Sequence, residues 1–399
     1  MFKYTLTQEP GGSKNTMNKL IIYLLGLVSS LLLANCNTKP KETTHEQSTD
    51  PLTTIQYAQH FTLRYEQNYK VVQVKKAFSG SNQGFTYVLL PKGVKKPAKY
   101  SEAQVVRIPV KNVALTSTPP LAYLQWINAY DRIVAVGKTQ HIYDTTLQQV
   151  IAQKEIPAIG SGKSLNNEVV MNLQPDVLMT SGVSKAAFGK YEQLIKVGIP
   201  VMVNSGWLET HPLGRLEWVK LMAALTNQEA LVNKKFDEVV NEYKQVKQLA
   251  EKAKTHPSVF KGLLFKNTWY ANGGRSYLAQ LIADAGATYS WKDDPKTDLL
   301  TLDFEVVYPI GLKSNYWLNP GRQIRTKADL LKQDVRYKAF NSFQENHIYN
   351  NNHRQNSQGA NDYWQSGITH PHIILKDFVK IFHPELLPDY EMVYHQRIE

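Results

Sequence analysis

TNQEALVNKKFDEVVNEYKQVKQLA, residues 226–250, is one uninterrupted amphipathic run. Val232, Phe236, Val239, Tyr243, Val246 and Ala250 recur at alternating spacings of four and three, which lays them along one face of a helix. No Gly or Pro intervenes before Pro257; Leu216–Leu225 ahead of it reads as helix, and Thr226-x-x-Glu229 has the spacing of a capping box restarting a second segment. About 26 residues at helical rise span roughly 39 Å, the length of a lobe or more. A stripe this short favours packing along its own protein over pairing with a second copy in a coiled coil.

On either side of this run, short apolar strands alternate with helices. Before it, Val113–Leu115, Arg132–Gly137, Asp176–Met179 and Ile199–Val203 read as strands, with helices over Leu121–Asn128, Glu168–Leu173 and Tyr191–Val197. After it, Gly262–Phe265, Tyr316–Leu318 and Ile348–Tyr349 read as strands. The helices there are Ser276–Ala285, one beginning over Thr301–Val307, Lys327–Lys332 and Ile373–Phe382. Such alternation predicts parallel sheets covered on both faces. The halves echo each other. Asn167-Glu168-Val169-Val170 then Pro175-Asp176-Val177-Leu178 is answered by Phe304-Glu305-Val306-Val307 then Asn315-Tyr316-Trp317-Leu318. The fold class expected is α/β: two Rossmann-like lobes, 113–213 and 257–399, joined by one long α-helix within 214–256.

A small N-terminal β appendage precedes the lobes. Within 55–112, Phe61–Tyr65, Tyr69–Val74, Phe85–Leu90 and Val105–Val110 are β-branched and aromatic and predict an antiparallel sheet. Residues 37–54 have the Thr, Lys, Glu, Gln and Ser composition of a flexible tether. Ahead of them, Lys19 leads the apolar run Leu20–Ala34, which stops at Cys36, the single cysteine. A charged head and a run too short to span a bilayer describe a secretory signal. Residues 1–16 precede its expected start at Met17. A lone cysteine here resembles a bacterial lipobox, whose thiol takes a lipid, although Asn35 departs from the small residue usual before it. An ordinary signal peptide with an incidental cysteine is the alternative.

Composition narrows the function classes. With 42% hydrophobic and 20% charged residues the chain is ordinary for a soluble globular protein. No cysteine follows Cys36, which rules out disulfide staples and thiolate metal sites in the folded body. The formal charge is +12, or +10 once residues 1–36 are removed. No dense Lys/Arg run with interleaved aromatics appears, so nucleic acid is not an expected partner.

Three stretches carry a resemblance. They are Asn167-Glu168 with Leu173-Gln174-Pro175-Asp176-Val177-Leu178; Glu209-Thr210-His211-Pro212-Leu213-Gly214-Arg215-Leu216-Glu217-Trp218; and Gly273-Gly274-Arg275-Ser276-Tyr277-Leu278 with Asp284-Ala285-Gly286-Ala287. In order and spacing they resemble the class III periplasmic substrate-binding proteins of ABC importers, which include iron-siderophore, haem and vitamin B12 binders. The resemblance covers residues 113–399. It implies a monomeric receptor, not an enzyme and without a cofactor of its own. Such a receptor holds a chelate between its lobes and hands it to an inner-membrane ABC permease. Its place would be the periplasm, anchored to the membrane by a lipid on Cys36. The resemblance also implies that Glu168 and Glu305 pair with permease arginines, a geometry suited to docking.

The ligand so implied is an iron chelate, a ferric siderophore or haem, with cobalamin the alternative. Ligands of open α/β lobes sit beyond the carboxyl ends of strands. Trp207, Trp269-Tyr270 and Tyr363-Trp364 follow such ends, and ring faces suit a large flat chelate. Arg275, beside Gly273-Gly274, is placed to meet a carboxylate or catecholate. A bare metal ion would instead need about three histidines and a carboxylate converging, with His347, His353, His370 and His372 as candidates. An enzyme is a further alternative. Ser161-Gly162-Lys163-Ser164 looks like the tail of a phosphate loop, but the leading Gly is not at the required spacing. Gly160 and Gly162 read as a tight turn. A surface-binding lipoprotein with no permease is a third.

Overall fold

The structure is a computed structural model and describes residues 52–182 and 184–399. The expected signal segment, Cys36 and nearly all of the tether lie outside the described residues. β1 (Phe61–Tyr65), β2 (Lys70–Val74) and β3 (Phe85–Pro91) pair antiparallel, while β4 (Gln104–Ile108) joins β3 in parallel. The purely antiparallel sheet expected from the sequence is corrected here. The long connection between β3 and β4 holds a 3₁₀ turn at Ala98–Tyr100 and has room to cross back.

β5 (Val113–Leu115), β6 (Ile133–Val136), β7 (Val177–Ser181) and β8 (Val201–Asn204) form the parallel sheet of the first lobe, in the order β6-β5-β7-β8. Their Val, Ala, Leu and Met side chains are almost all buried, as strands covered on both faces require. β8 is the last strand of this sheet, and the N-terminal sheet closes its edge. The Gln104 side chain donates to the Val201 carbonyl (3.2 Å) and accepts from its amide (2.8 Å). The buried Tyr87 hydroxyl accepts the Val203 amide at 3.1 Å.

Two buried glutamates fix where the N-terminal sheet begins. Glu217 accepts the amides of Gln56, Tyr57 and Ala58 at 2.7–2.9 Å. Its counter-charge, Lys220, lies 2.7 Å away and also donates to the Thr54 carbonyl. Glu209 accepts the amides of Gln59 and His60 and the Trp218 indole N–H. Charge-assisted bonds of this kind satisfy a backbone stretch that has no strand partner.

The long helical region is three helices: Pro212–Glu217, Val219–Thr226 and Glu229–Ala250. Asn227 interrupts it in the left-handed region, φ +56°. The expected capping box does not form. The Thr226 hydroxyl bonds back to the Met222 carbonyl (2.8 Å), and Glu229 is taken by Lys70 and Tyr65 from the N-terminal sheet. The 22-residue bridging helix buries all six residues of the stripe, and the C-terminal helix Pro371–Phe382 packs along it.

The second lobe starts with β9 (Ser258–Lys261). A side sheet follows from β10 (Leu263–Phe265), β11 (Thr268–Asn272) and, beyond the short β12 (Thr288–Tyr289), β13 (Leu299–Leu302). β14 (Tyr316–Leu318), β15 (Ile348–Asn350) and β16 (Gln396–Arg397) complete a main sheet ordered β12-β9-β14-β15-β16. Only β16 runs antiparallel. Without β16, this order repeats that of the first lobe, so the echo in sequence is an echo in fold. Thr301 and Leu302, expected in a helix, instead pair with Tyr270 and Trp269, and the helix starts at Phe304. Phe260, Trp269, Phe304, Trp317, Tyr337 and Phe340 pack ring on ring as the core of this lobe.

A cleft at the carboxyl ends of the strands

The carboxyl ends of β5, β6 and β7 open onto a cavity of about 270 Å³. Thr116, Ser117 and Thr118 line it from the turn after β5, Lys138 and His141 from beyond β6, and Ser161 and Ser181 complete a hydroxyl-rich wall. The lining has two basic side chains and no carboxylate. Ser117 Oγ is buried and, among the described residues, makes no hydrogen bond, which leaves it free for a ligand.

Further cations come from the second lobe. Arg322, in the turn after β14, is steered by a hydrogen bond to the Gly359 carbonyl. Burial, together with the charges of Lys138 and Arg322, pushes the His141 imidazole below its ordinary range, so it is neutral at pH 7. Lys261 ends β9 beside Leu318, the last residue of β14. Burial lowers its ammonium to about 8.

Residues 361–370 reach from the second lobe onto the first. The Gln365 side-chain carbonyl accepts the Tyr143 amide at 2.9 Å, and the Thr118 hydroxyl donates to the Trp364 carbonyl at 3.1 Å. Arg354 lies 5.5 Å from the Tyr143 ring centroid. Nearby, the Arg215 guanidinium lies 4.4 Å from the Tyr277 ring and 5.9 Å from that of Trp364. Such a stacked guanidinium keeps its charge while its orientation is fixed.

The expected aromatic residues do not form one slot. Trp364 is 44% exposed and takes part in the Arg215 cluster. Tyr363 stands behind it, buried against Tyr394 and His395, and burial drives its phenol well above its ordinary range. Trp207 sits half-buried in the turn after β8, its indole N–H unpartnered among the described residues. Trp269 is fully buried in the ring core of the second lobe and donates to the Lys261 carbonyl, which takes it off the cleft surface. It fails as a lining residue because β10 and β11 belong to the side sheet, so Trp269 and the half-buried Tyr270 follow no carboxyl end of the main sheet. Arg275 is exposed, and Gly273-Gly274 serve packing: a Cβ there would meet the Lys296 carbonyl at 2.1 Å or that of Trp291 at 2.3 Å.

Lys138, His141, Arg215, Lys261, Tyr277 and Arg322 are the residues that reading strand ends for rings overlooked. Gly137-Lys138, the first charge after a buried strand, was the available signal. Of the histidines, His347 stacks on Tyr316, His353 bonds the Met392 carbonyl, His370 bonds the Ser366 carbonyl and His372 faces Glu242. No group of three or more His, Cys, Asp or Glu able to hold a metal occurs among the described residues. Ser161–Ser164 is a capped 3₁₀ turn with Gly160 at φ +71° and Gly162 at φ +54°, the tight turn read from the sequence. Glu168 and Glu305 are both exposed, and each is the second residue of its helix, Asn167–Leu173 and Phe304–Gly311.

Known proteins share this arrangement. An uncharacterized lipoprotein of Methanocaldococcus jannaschii is 24% identical over 95% of this chain and 98% of its own length. A possible iron-binding periplasmic solute-binding protein of Staphylococcus epidermidis superposes with a TM-score of 0.54 at 15% identity, over 69% of this chain and 99% of its own. A periplasmic haem-binding protein of Vibrio cholerae does so with a TM-score of 0.53 at 18% identity, over 68% and 99%. These similar structures are solute-binding proteins, not enzymes, and at such identities the likeness is one of fold. The model of the periplasmic binding protein family matches residues 113–352, and this chain belongs to that family.

Proposed function

We propose that this protein is the substrate-binding lipoprotein of an ABC importer and that its cargo is an anionic iron chelate, haem or a ferric siderophore, held between the lobes. One observation carries the reading: the cavity at the carboxyl ends of β5–β7 is lined by Lys138 and His141 and by no carboxylate, and the second lobe reaches its wall where Thr118 bonds the Trp364 carbonyl. A cation that faces no carboxylate there is a partner for an anionic cargo. The carboxylates of haem or the oxygens of a catecholate supply the charge, while Trp364 and Trp207 offer ring faces. Cobalamin, whose corrin carries neutral amides, makes less use of these cations. The fold shared with haem-binding proteins supports the same ligand class.

Delivery to a permease uses Glu168 and Glu305, and a lipid on Cys36 keeps the receptor at the membrane. Tryptophan-fluorescence titration with haem, a ferric tris-catecholate, a ferric trihydroxamate and cobalamin tests the ligand. Saturable quenching strongest with the anionic chelates is expected. Quenching by none of them, or by cobalamin alone, would overturn the assignment.

A further inference from the structure

The positive charge of this protein is concentrated in one module. Between residues 55 and 112 ten Lys and Arg stand against two acidic residues, so this N-terminal sheet carries +8 of the chain's +12. Residues 113–399, about five times longer, carry +3. The first lobe, the bridging helix and the second lobe are thus nearly balanced, and the sheet that follows the tether is not.

Much of that charge forms a contiguous surface. Arg64, Lys92, Lys95, Lys96, Lys99 and Arg107 are all exposed. Arg64 bonds the Tyr100 hydroxyl at 3.5 Å, and Lys99 lies 5.2 Å from the same ring. Arg107 of β4 donates to the Val94 carbonyl (2.7 Å), which ties the β3–β4 connection to the sheet, and Lys96 donates to the Ser101 carbonyl within that connection. At its centre Tyr69 and Tyr100 meet edge to face at 6.2 Å, over a small apolar cluster of Val88, Leu90 and Ala103. Half-buried tyrosines ringed by lysines suit the boundary between water and lipid headgroups, where an amphipathic ring and a cation both find partners.

The described chain also begins at this end of the sheet. The Thr53 amide donates to the Tyr65 hydroxyl (3.4 Å), at the close of β1. The turn from there to β2 holds Glu66 and Tyr69, both of which Lys99 approaches. Sixteen positions of sequence separate Cys36 from Leu52, so a lipid on Cys36 would tether this end of the sheet to the membrane.

We infer that the Arg64/Lys92–Lys99/Arg107 surface binds anionic phospholipid headgroups and so sets how the receptor lies on the membrane. The inference draws its purpose from the proposed anchor at Cys36, but its test does not depend on that anchor.

Residues 50–399 pack as one unit and are used without the lipid-bearing segment. Their sedimentation is measured with vesicles of phosphatidylcholine alone and with vesicles containing 30 mol% phosphatidylglycerol, at 50 and 500 mM salt. Binding to the anionic vesicles at low salt, and its loss at high salt, are expected. The quadruple variant Lys92→Glu, Lys95→Glu, Lys96→Glu, Lys99→Glu should weaken binding by at least roughly five-fold per lysine. A matched variant, Lys196→Glu, Lys252→Glu, Lys254→Glu, Lys313→Glu, has the same net charge and should keep it. An unchanged thermal melt and circular-dichroism spectrum in the first variant show that the fold is intact. No binding to anionic vesicles, equal binding to neutral ones, or equal loss in both variants overturns the inference. Failure of the cargo assignment or of the lipid anchor leaves all of these readouts in place.

Discussion

Glu217 and Tyr57 are 160 positions apart in sequence, and the buried carboxylate of one accepts the amide of the other at 2.7 Å. Through this bond and its neighbours the chain is fastened to the helices that lead into the bridge before its first strand is made. Glu217→Ala leaves Lys220 buried without its counter-charge and three amides unpaired. A loss of about 3–5 kcal/mol is expected, because removing one member of a buried ion pair strands the other. Urea unfolding measures it, and limited proteolysis should find a new cut near residues 55–60. An unmoved midpoint would show that the fastening contributes nothing.

Charge reversal tests the cleft. Lys138→Glu and Arg322→Glu should each weaken haem binding by about ten-fold or more, consistent with loss of a charge-assisted contact worth roughly 1.5–3 kcal/mol. Raising the salt should weaken the wild type more than either variant. Trp269→Ala, by contrast, should destabilise the protein by about 3–5 kcal/mol through a core cavity while leaving affinity unchanged well below the unfolding midpoint. Calorimetric titration and thermal melts separate the two outcomes.

Glu168→Arg with Glu305→Arg should abolish cargo uptake in cells and leave binding of the purified protein intact. Uptake at the wild-type rate would remove these glutamates from permease docking. It would also favour a surface binder that works without a permease.

His372 gives the protein an acid limit. Burial lowers its imidazole to about 4, with the charges of His370 and Lys376 adding to the shift and Glu242 opposing it. As pH falls below the unfolded value near 6.5, the unfolded chain takes up the proton and the folded one does not. Stability present above that pH is therefore lost between about 6.5 and 4, by roughly 2–3 kcal/mol at most. His372→Leu should flatten this slope in urea midpoints compared at pH 7 and 4.5. Identical slopes would place the acid sensitivity elsewhere.

The periodic parts of the fold were the legible ones. The bridging stripe from Val232 to Ala250 is buried as spaced, and the repeated half shows up as a repeated strand order. The restart of the helix after Thr226 was legible, but its form was not: Asn227 takes a left-handed turn, and Lys70 and Tyr65, far off in sequence, claim the Glu229 that a capping box would need. The cleft was half legible. Trp364 is exposed whereas Trp269 is buried in the core, since which strand belongs to the main sheet is decided by long-range pairing. Arg215 and Tyr277 stand 62 positions apart, and nothing local announces that they stack.

The bond pair between Gln104 and Val201 has a consequence for how the shared architecture can be handled. A chain trimmed to start where the family model starts, at residue 113, would leave the β8 margin uncapped, with its amides and carbonyls open to any neighbouring copy. Polymerisation rather than simple unfolding is the expected fate of such a fragment, which makes the N-terminal module a guard against self-recruitment.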